Sequence, residues 1–156
     1  MDGLVVAPDS PDAVDVQALL EAHLAHMRAI TPPEDVHALD VPGLIEADVS
    51  FFSGRVDTAL VGVGALKRLD ATSWELKSMH TAAAHRGRAV GRSMLEHLLA
   101  EARSRRGRLV LLETGSSPEF AAARALYAAA GFVSCGPFAD YPASPHSAFF
   151  RLDLRP

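Results

Sequence analysis

Met79-His80-Thr81-Ala82-Ala83-Ala84-His85-Arg86-Gly87-Arg88-Ala89-Val90-Gly91-Arg92 is the stretch on which the fold turns. It reads as the end of a strand, a turn of small residues with glycines at 87 and 91, and the start of a helix. Amide N–H groups in such a turn point outward together, and the helix dipole adds partial positive charge. An anion therefore sits there readily, and small side chains let a diphosphate approach the backbone. Arg86, Arg88 and Arg92 supply countercharge. Two common phosphate loops do not fit. A P-loop ends Gly-Lys-Ser/Thr, whereas Gly91-Arg92-Ser93 lacks the lysine, and no G-x-G-x-x-G pattern is present.

Outward from this stretch the pattern is mixed. Upstream, Val49 to Phe52, a turn at Ser53-Gly54-Arg55, then Thr58 to Leu69 and Trp74 to Thr81 read as antiparallel strands. Downstream, Ala89 to Arg106 is a helix whose apolar face is Val90, Met94, Leu95, Leu98 and Leu99, closed by Gly107. The continuous apolar run Leu109-Val110-Leu111-Leu112 suits a central strand covered on both faces. Pro118 to Ala130 is an alanine-rich helix ending at Gly131, and Phe132-Val133 and Ala148 to Leu154 are the last strands. At the start, Leu4-Val5-Val6 is a short strand ended by Pro8, and Asp12 to Ile30 is an amphipathic helix stopped by Thr31-Pro32-Pro33. The segment 34–48 reads as a loop or short helix over one side of the site. The expectation is one α/β domain over residues 1–156, with an antiparallel first half.

Composition agrees. Hydrophobic residues make up 49% of the 156 positions and charged residues 22%, enough to bury a core and against disorder. No apolar run approaches the roughly 18 residues that span a bilayer. Met1-Asp2-Gly3-Leu4 lacks the basic flank of a signal peptide, so a cytoplasmic location is expected. The single cysteine, Cys135, excludes an intrachain disulfide and a multi-cysteine zinc site, and no metal is expected. A net charge of −4 argues against nucleic-acid binding. Seven arginines nonetheless fall between Arg86 and Arg108, which suits either a small polyanionic ligand or a solvated helix face.

Arg86-Gly87-Arg88-Ala89-Val90-Gly91 resembles the acetyl-coenzyme A loop Arg/Gln-x-x-Gly-x-Gly/Ala of the GNAT (Gcn5-related N-acetyltransferase) superfamily. Ala89 stands where glycine is usual, and alanine calls for ordinary backbone angles. A second element, Leu126-Tyr127 followed by Gly131-Phe132, resembles the family's later motif at the expected distance. The resemblance implies a mixed, mostly antiparallel sheet flanked by helices, with splayed strands 4 and 5. It also implies acetyl-CoA as co-substrate, a small-molecule or peptide amine as acceptor, and a homodimer as a frequent assembly. Other classes compatible with the same fold are a non-catalytic acyl-CoA-binding or regulatory domain and an acyltransferase using a longer acyl-CoA.

Acetyl transfer needs a neutral amine, a stabilised carbonyl oxygen and a protonated leaving sulfur. By resemblance, Met79, His80 and Thr81 hold the pantetheine arm, residues Arg86 to Arg92 hold the diphosphate, and Tyr127 protonates the sulfur. Glu75 and Glu113 are both candidates for the base. A regular strand puts Glu75, Lys77, Met79 and Thr81 on one face and His80 on the other. Asp140-Tyr141-Pro142, in a late loop, is a candidate lining of the acceptor pocket. His23 and His26 read as helix-surface histidines, Cys135 as a strand residue without a paired base, and Phe51, Phe52 and Trp74 as core.

Overall fold

The first hairpin of the chain already departs from the sequence reading. In the computed structural model, which describes residues 2–37 and 40–154, strand β2 runs unbroken through Val49–Val56 and pairs with β3, Ala59–Arg68. The turn is Asp57-Thr58, with Asp57 at φ 54°, and not Ser53-Gly54-Arg55. Gly54 is a strand glycine for a packing reason, since a Cβ there would lie 2.8 Å from the Met94 sulfur.

Around this hairpin one seven-stranded sheet assembles in the order β1 (Leu4–Pro8), β2, β3, β4 (Ser73–Thr81), β5 (Leu109–Gly115), β7 (Ser147–Asp153), β6 (Val133–Cys135). Every neighbouring pair is antiparallel except β4 and β5. Those two pair in parallel only from Ser73 opposite Leu109 to Leu76 opposite Leu112, then part. The splay expected of strands 4 and 5 is therefore present. Beyond Leu76 the β5-side edge of β4 has no strand partner among the described residues, so its N–H and C=O groups face a cleft.

Helix α1 (Val14–Ile30) covers one face, where Val16 and Leu20 pack on Phe51, Val63 and Ala65. Helix α3 (Val90–Ser104) covers the other, burying Met94, Leu95, Leu98 and Leu99 against Phe52, Leu66, Leu76 and Leu112. Each such fully buried side chain contributes roughly 1.5–3 kcal/mol relative to exposure. Phe51 and Phe52 are successive residues of β2, so their rings go to opposite layers, as the pleat requires. A single turn, α2 (Val41–Leu44), lies before β2, and α4 (Ala121–Ala129) adds Tyr127 to the α3-side core.

The end of α3 shows a second departure. The left-handed residue is Arg106 (φ 61°), one position before the glycine. The Arg106 N–H bonds to the Arg103 carbonyl at 3.0 Å and the Gly107 N–H to the Ala102 carbonyl at 2.8 Å, the two bonds of a Schellman motif. Gly107 is required for space: a Cβ there would lie 2.7 Å from the Ala102 oxygen and 2.9 Å from the Trp74 ring. Among the described residues, no helix is long and apolar enough to cross a membrane.

Candidate active site

The cleft left by the parting of β4 and β5 opens into a cavity of about 680 Å³, large enough for a drug-sized or cofactor-sized molecule. One end is the turn before α3. There Ala89, the residue preceding the helix, adopts the left-handed conformation (φ 62°, ψ 21°) and supplies no side-chain cap. Alanine was expected to keep ordinary angles. Instead it takes the glycine-like conformation the turn demands, and its exposed methyl meets no packing obstacle. The N–H groups that open α3 have no intrahelical acceptor, and Ala89, Val90, Gly91 and Arg92, which carry them, line the cavity. Gly87 (φ 77°) has open space where a side chain would stand. Arg86, Gly87, Ala89, Val90, Gly91 and Arg92 line the cavity. Arg88 is exposed and is not among the lining residues, and Arg92 also pairs with Glu96 at 3.0 Å on the helix surface.

Along β4 the faces differ from a regular strand. Val63 opposes His80 while Ala65 opposes Lys77, so Gly64 alone stands against Ser78 and Met79. This is a β-bulge, with Ser78 at φ 55°. The extra residue inverts the alternation beyond it. His80 joins Glu75 and Lys77 on the α1 face, and Met79 and Thr81 join Leu76 on the α3 face, the reverse of the expected assignment. All seven residues from Glu75 to Thr81 line the cavity. The Ser78 hydroxyl is buried without a hydrogen-bond partner, as is Nδ1 of His23.

The α1 face of β4 carries two polar groupings. His80 stacks on His23 of α1 with ring centroids 4.5 Å apart. Burial, and then the charges of Arg86 and the neighbouring histidines, push His23 down to about 4 and His80 to about 3, so both rings are neutral at physiological pH. His23 is therefore half-buried lining and not a surface residue. Deeper, the Lys77 ammonium donates to Glu75 Oε2 at 3.2 Å and to the Tyr141 hydroxyl at 2.7 Å, and the Tyr141 hydroxyl donates to the same Glu75 oxygen. Glu75 and Lys77 side chains are only 4% and 9% exposed, so the pair is a true buried ion pair.

Glu113, on β5 beyond the parting point, faces the same cavity. Burial raises its carboxyl to about 7, with the Glu75 and Asp35 charges adding to the rise and the Ser147 hydroxyl and Lys77 opposing it. Tyr127 of α4 is buried, packs edge-on against Phe132 at 5.7 Å and lines the cavity. Burial first, and then the Glu113 charge, hold its phenol well above the usual value, so it stays protonated. The site thus offers a carboxyl that ionises near neutrality and a phenol that keeps its proton, both on one cavity.

Three lining residues carry no motif signal. Lys77 and His37 occur singly in ordinary surroundings, and Ser78 is marked only by its backbone angle, which a sequence does not display. Tyr141, expected only as pocket lining, also closes the Glu75–Lys77 network.

Comparison with known proteins bears on the family and the fold. The family model described as Acetyltransferase (GNAT) family matches residues 16–132. A relative from Escherichia coli named as the uncharacterized N-acetyltransferase YedL is 45% identical over 139 residues, which is 89% of this chain and 87% of the relative. A candidate acyl-CoA N-acyltransferase of Klebsiella pneumoniae superposes with a TM-score of 0.79 at 28% identity, covering 97% of this chain and 98% of the other. A GNAT family acetyltransferase of Elizabethkingia anophelis solved with acetyl-CoA bound shares the fold, with a TM-score of 0.72 at 14% identity over 99% of this chain and all of the other.

Proposed function

The chain belongs to the acetyltransferase (GNAT) family and is an acetyl-CoA-dependent N-acetyltransferase, and from that premise we propose the role of each site residue and the form of its acceptor. Transfer is direct, from the thioester to a compact primary amine of a small molecule or peptide. The observation that carries the residue assignment is Glu113, a cavity-facing carboxyl whose surroundings raise it to about 7.

The cavity suits acetyl-CoA on structural grounds. Uncapped N–H groups at the start of α3, the side chain of Arg86 and the space above Gly87 suit a diphosphate. The unpaired edge of β4 past Leu76 suits an amide-bearing arm laid along it as an added strand. The bound thioester supplies an activated acyl group.

Glu113 accepts the proton that the acceptor ammonium must shed before nitrogen can attack. A base with a pKa near ambient pH combines a large ionised fraction with useful basicity. As the C–N bond forms and the C–S bond breaks, the Tyr127 phenol gives its proton to the departing sulfur. Backbone N–H groups at the Ser78 bulge polarise the carbonyl oxygen. Glu75 has a different part: committed to Lys77 and Tyr141, it fixes the floor of the acceptor end.

The test is thiol release from acetyl-CoA across a panel of primary amines, with calorimetry of coenzyme A alongside. Turnover that depends on the amine supports the reading. Coenzyme A binding with no turnover for any amine makes the domain an acyl-CoA-binding module, and no binding removes the reading altogether.

A further inference from the structure

We propose that the ring pair His37–Tyr141 is the end wall of the acceptor site and sets the length of amine the enzyme acetylates. The inference rests on the amine-acetyltransfer reading above. The two rings meet edge to face with centroids 4.8 Å apart. On one side lies the main cavity, with Glu75, Lys77 and Glu113. On the other lies a smaller hollow of about 210 Å³, open to the surface and lined also by Lys67, Ala139 and Asp140. Among the described residues, His37 and Tyr141 are the two that line both.

The halves of the wall are held differently. Tyr141 is anchored at both ends, by its hydroxyl to Glu75 and Lys77 and by its ring against Phe138 (5.1 Å) and Phe149 (5.8 Å). His37 has no such anchor: its Nε2 is buried without a hydrogen-bond partner, and burial holds its basicity below the ordinary value. An acceptor whose nitrogen lies at Glu113 and whose chain extends toward His37 and Tyr141 meets this wall. The enzyme therefore takes compact amines. The surface hollow beyond, with Lys67 and Asp140, offers one charge of each sign that a compact amine does not reach. Opening the wall joins the two spaces and gives a longer amine with a polar tail somewhere to go.

The experiment measures kcat/KM for a homologous series of straight-chain primary amines of increasing length, with acetyl-CoA saturating, for wild type, His37→Ala, Tyr141→Ala and Tyr141→Phe. Coenzyme A binding is followed by calorimetry in each. The expected result is a sharp fall with length in wild type and a long-to-short ratio raised about tenfold or more in His37→Ala, the scale on which one or two methylenes discriminate in an apolar pocket. Tyr141→Phe keeps the ring and with it the wild-type ratio. Tyr141→Ala is checked for folding by near-ultraviolet circular dichroism, and His37→Ala carries the test if it does not fold. A His37→Ala ratio equal to wild type, or a loss that is uniform over all lengths, overturns the proposal. So does a wild type that binds coenzyme A and acetylates all lengths alike, or none. Failure to bind coenzyme A overturns the acetyl-transfer reading itself.

Discussion

Lys77 and His80 stand three positions apart on β4 and face the same side of the sheet. The Ser78–Met79 bulge makes this so, and it divides the labour of the strand. Ahead of the bulge the α1 face carries the buried Glu75–Lys77 pair. Past it the same face carries His80 against His23, while Met79 and Thr81 turn to α3, with the Thr81 hydroxyl oxygen 3.9 Å from where a side chain on Gly91 would begin. One inserted residue lets a single strand serve two layers and still present its free edge to the cleft.

The buried pair on that strand gives the first prediction. Lys77→Met leaves the Glu75 carboxylate in a site only 4% exposed, with Tyr141 as its remaining donor. Removing one member of a buried ion pair costs about 3–5 kcal/mol, because the other charge is left uncompensated. Chemical denaturation is expected to show a loss of that order, and the double variant Glu75→Gln/Lys77→Met to recover most of it. Glu75→Gln alone completes the cycle, and a double-variant loss equal to the sum of the two single losses would show that the pair is not coupled.

Ala89 gives a second. A left-handed alanine costs roughly 1–2 kcal/mol relative to its preferred conformation, and glycine gives back about 0.4–1 kcal/mol of that through the greater freedom of the unfolded chain. With the Ala89 side chain exposed, nothing else is lost. Ala89→Gly should therefore raise the thermal midpoint modestly while keeping or tightening coenzyme A affinity. A lower midpoint would mean that the φ of 62° is not the conformation the turn holds in solution.

Why the loop and helices could be read from residue order, and the faces of β4 could not, follows from the kind of signal each leaves. The Arg86–Gly91 turn is written in small residues and arginines, and the apolar stripe of α3 in the spacing of Met94, Leu95, Leu98 and Leu99. The parting of β4 from β5 came from family resemblance, since pairing over four residues and separation thereafter has no local code. The bulge at Ser78 left no mark either, because serine is not a residue that left-handed geometry selects, and so His80 was assigned to the wrong face. Gly54 misled in the opposite way: it looks like a turn and is a packing glycine under Met94. Tyr141 reaches Glu75 across 66 positions, a contact that only tertiary structure makes.

Tyr127→Phe separates binding from chemistry. The ring still packs on Phe132, so the fold and coenzyme A affinity should be retained. With no phenolic proton for the sulfur, kcat should fall by roughly 10²-fold or more, the usual scale of a positioned general acid. The loss should shrink for thioesters whose thiol is more acidic, since such a sulfur departs without help. Equal loss for all thiols would reduce Tyr127 to a packing role.

Glu113→Gln tests the base and carries a pH signature with a definite sign. Burial raises the Glu113 carboxyl to about 7 from an ordinary 4.5, so the free enzyme is increasingly ionised, and competent, as pH climbs through 7. In wild type, kcat/KM is expected to rise with pH on a limb centred near that value. In Glu113→Gln the limb disappears and the rate falls by about 10²–10⁴-fold. Stability moves the other way. A carboxyl whose folded pKa is raised favours the folded state fully below its unfolded value and loses that advantage as pH rises from about 4.5 to 7. Wild type should therefore lose stability relative to Glu113→Gln across that window and stay level above it, measured by denaturant midpoints at stepped pH. Activity gained and stability lost over the same interval, both abolished by one substitution, tie the two curves to a single carboxyl. A rate limb that survives in Glu113→Gln would assign the base elsewhere.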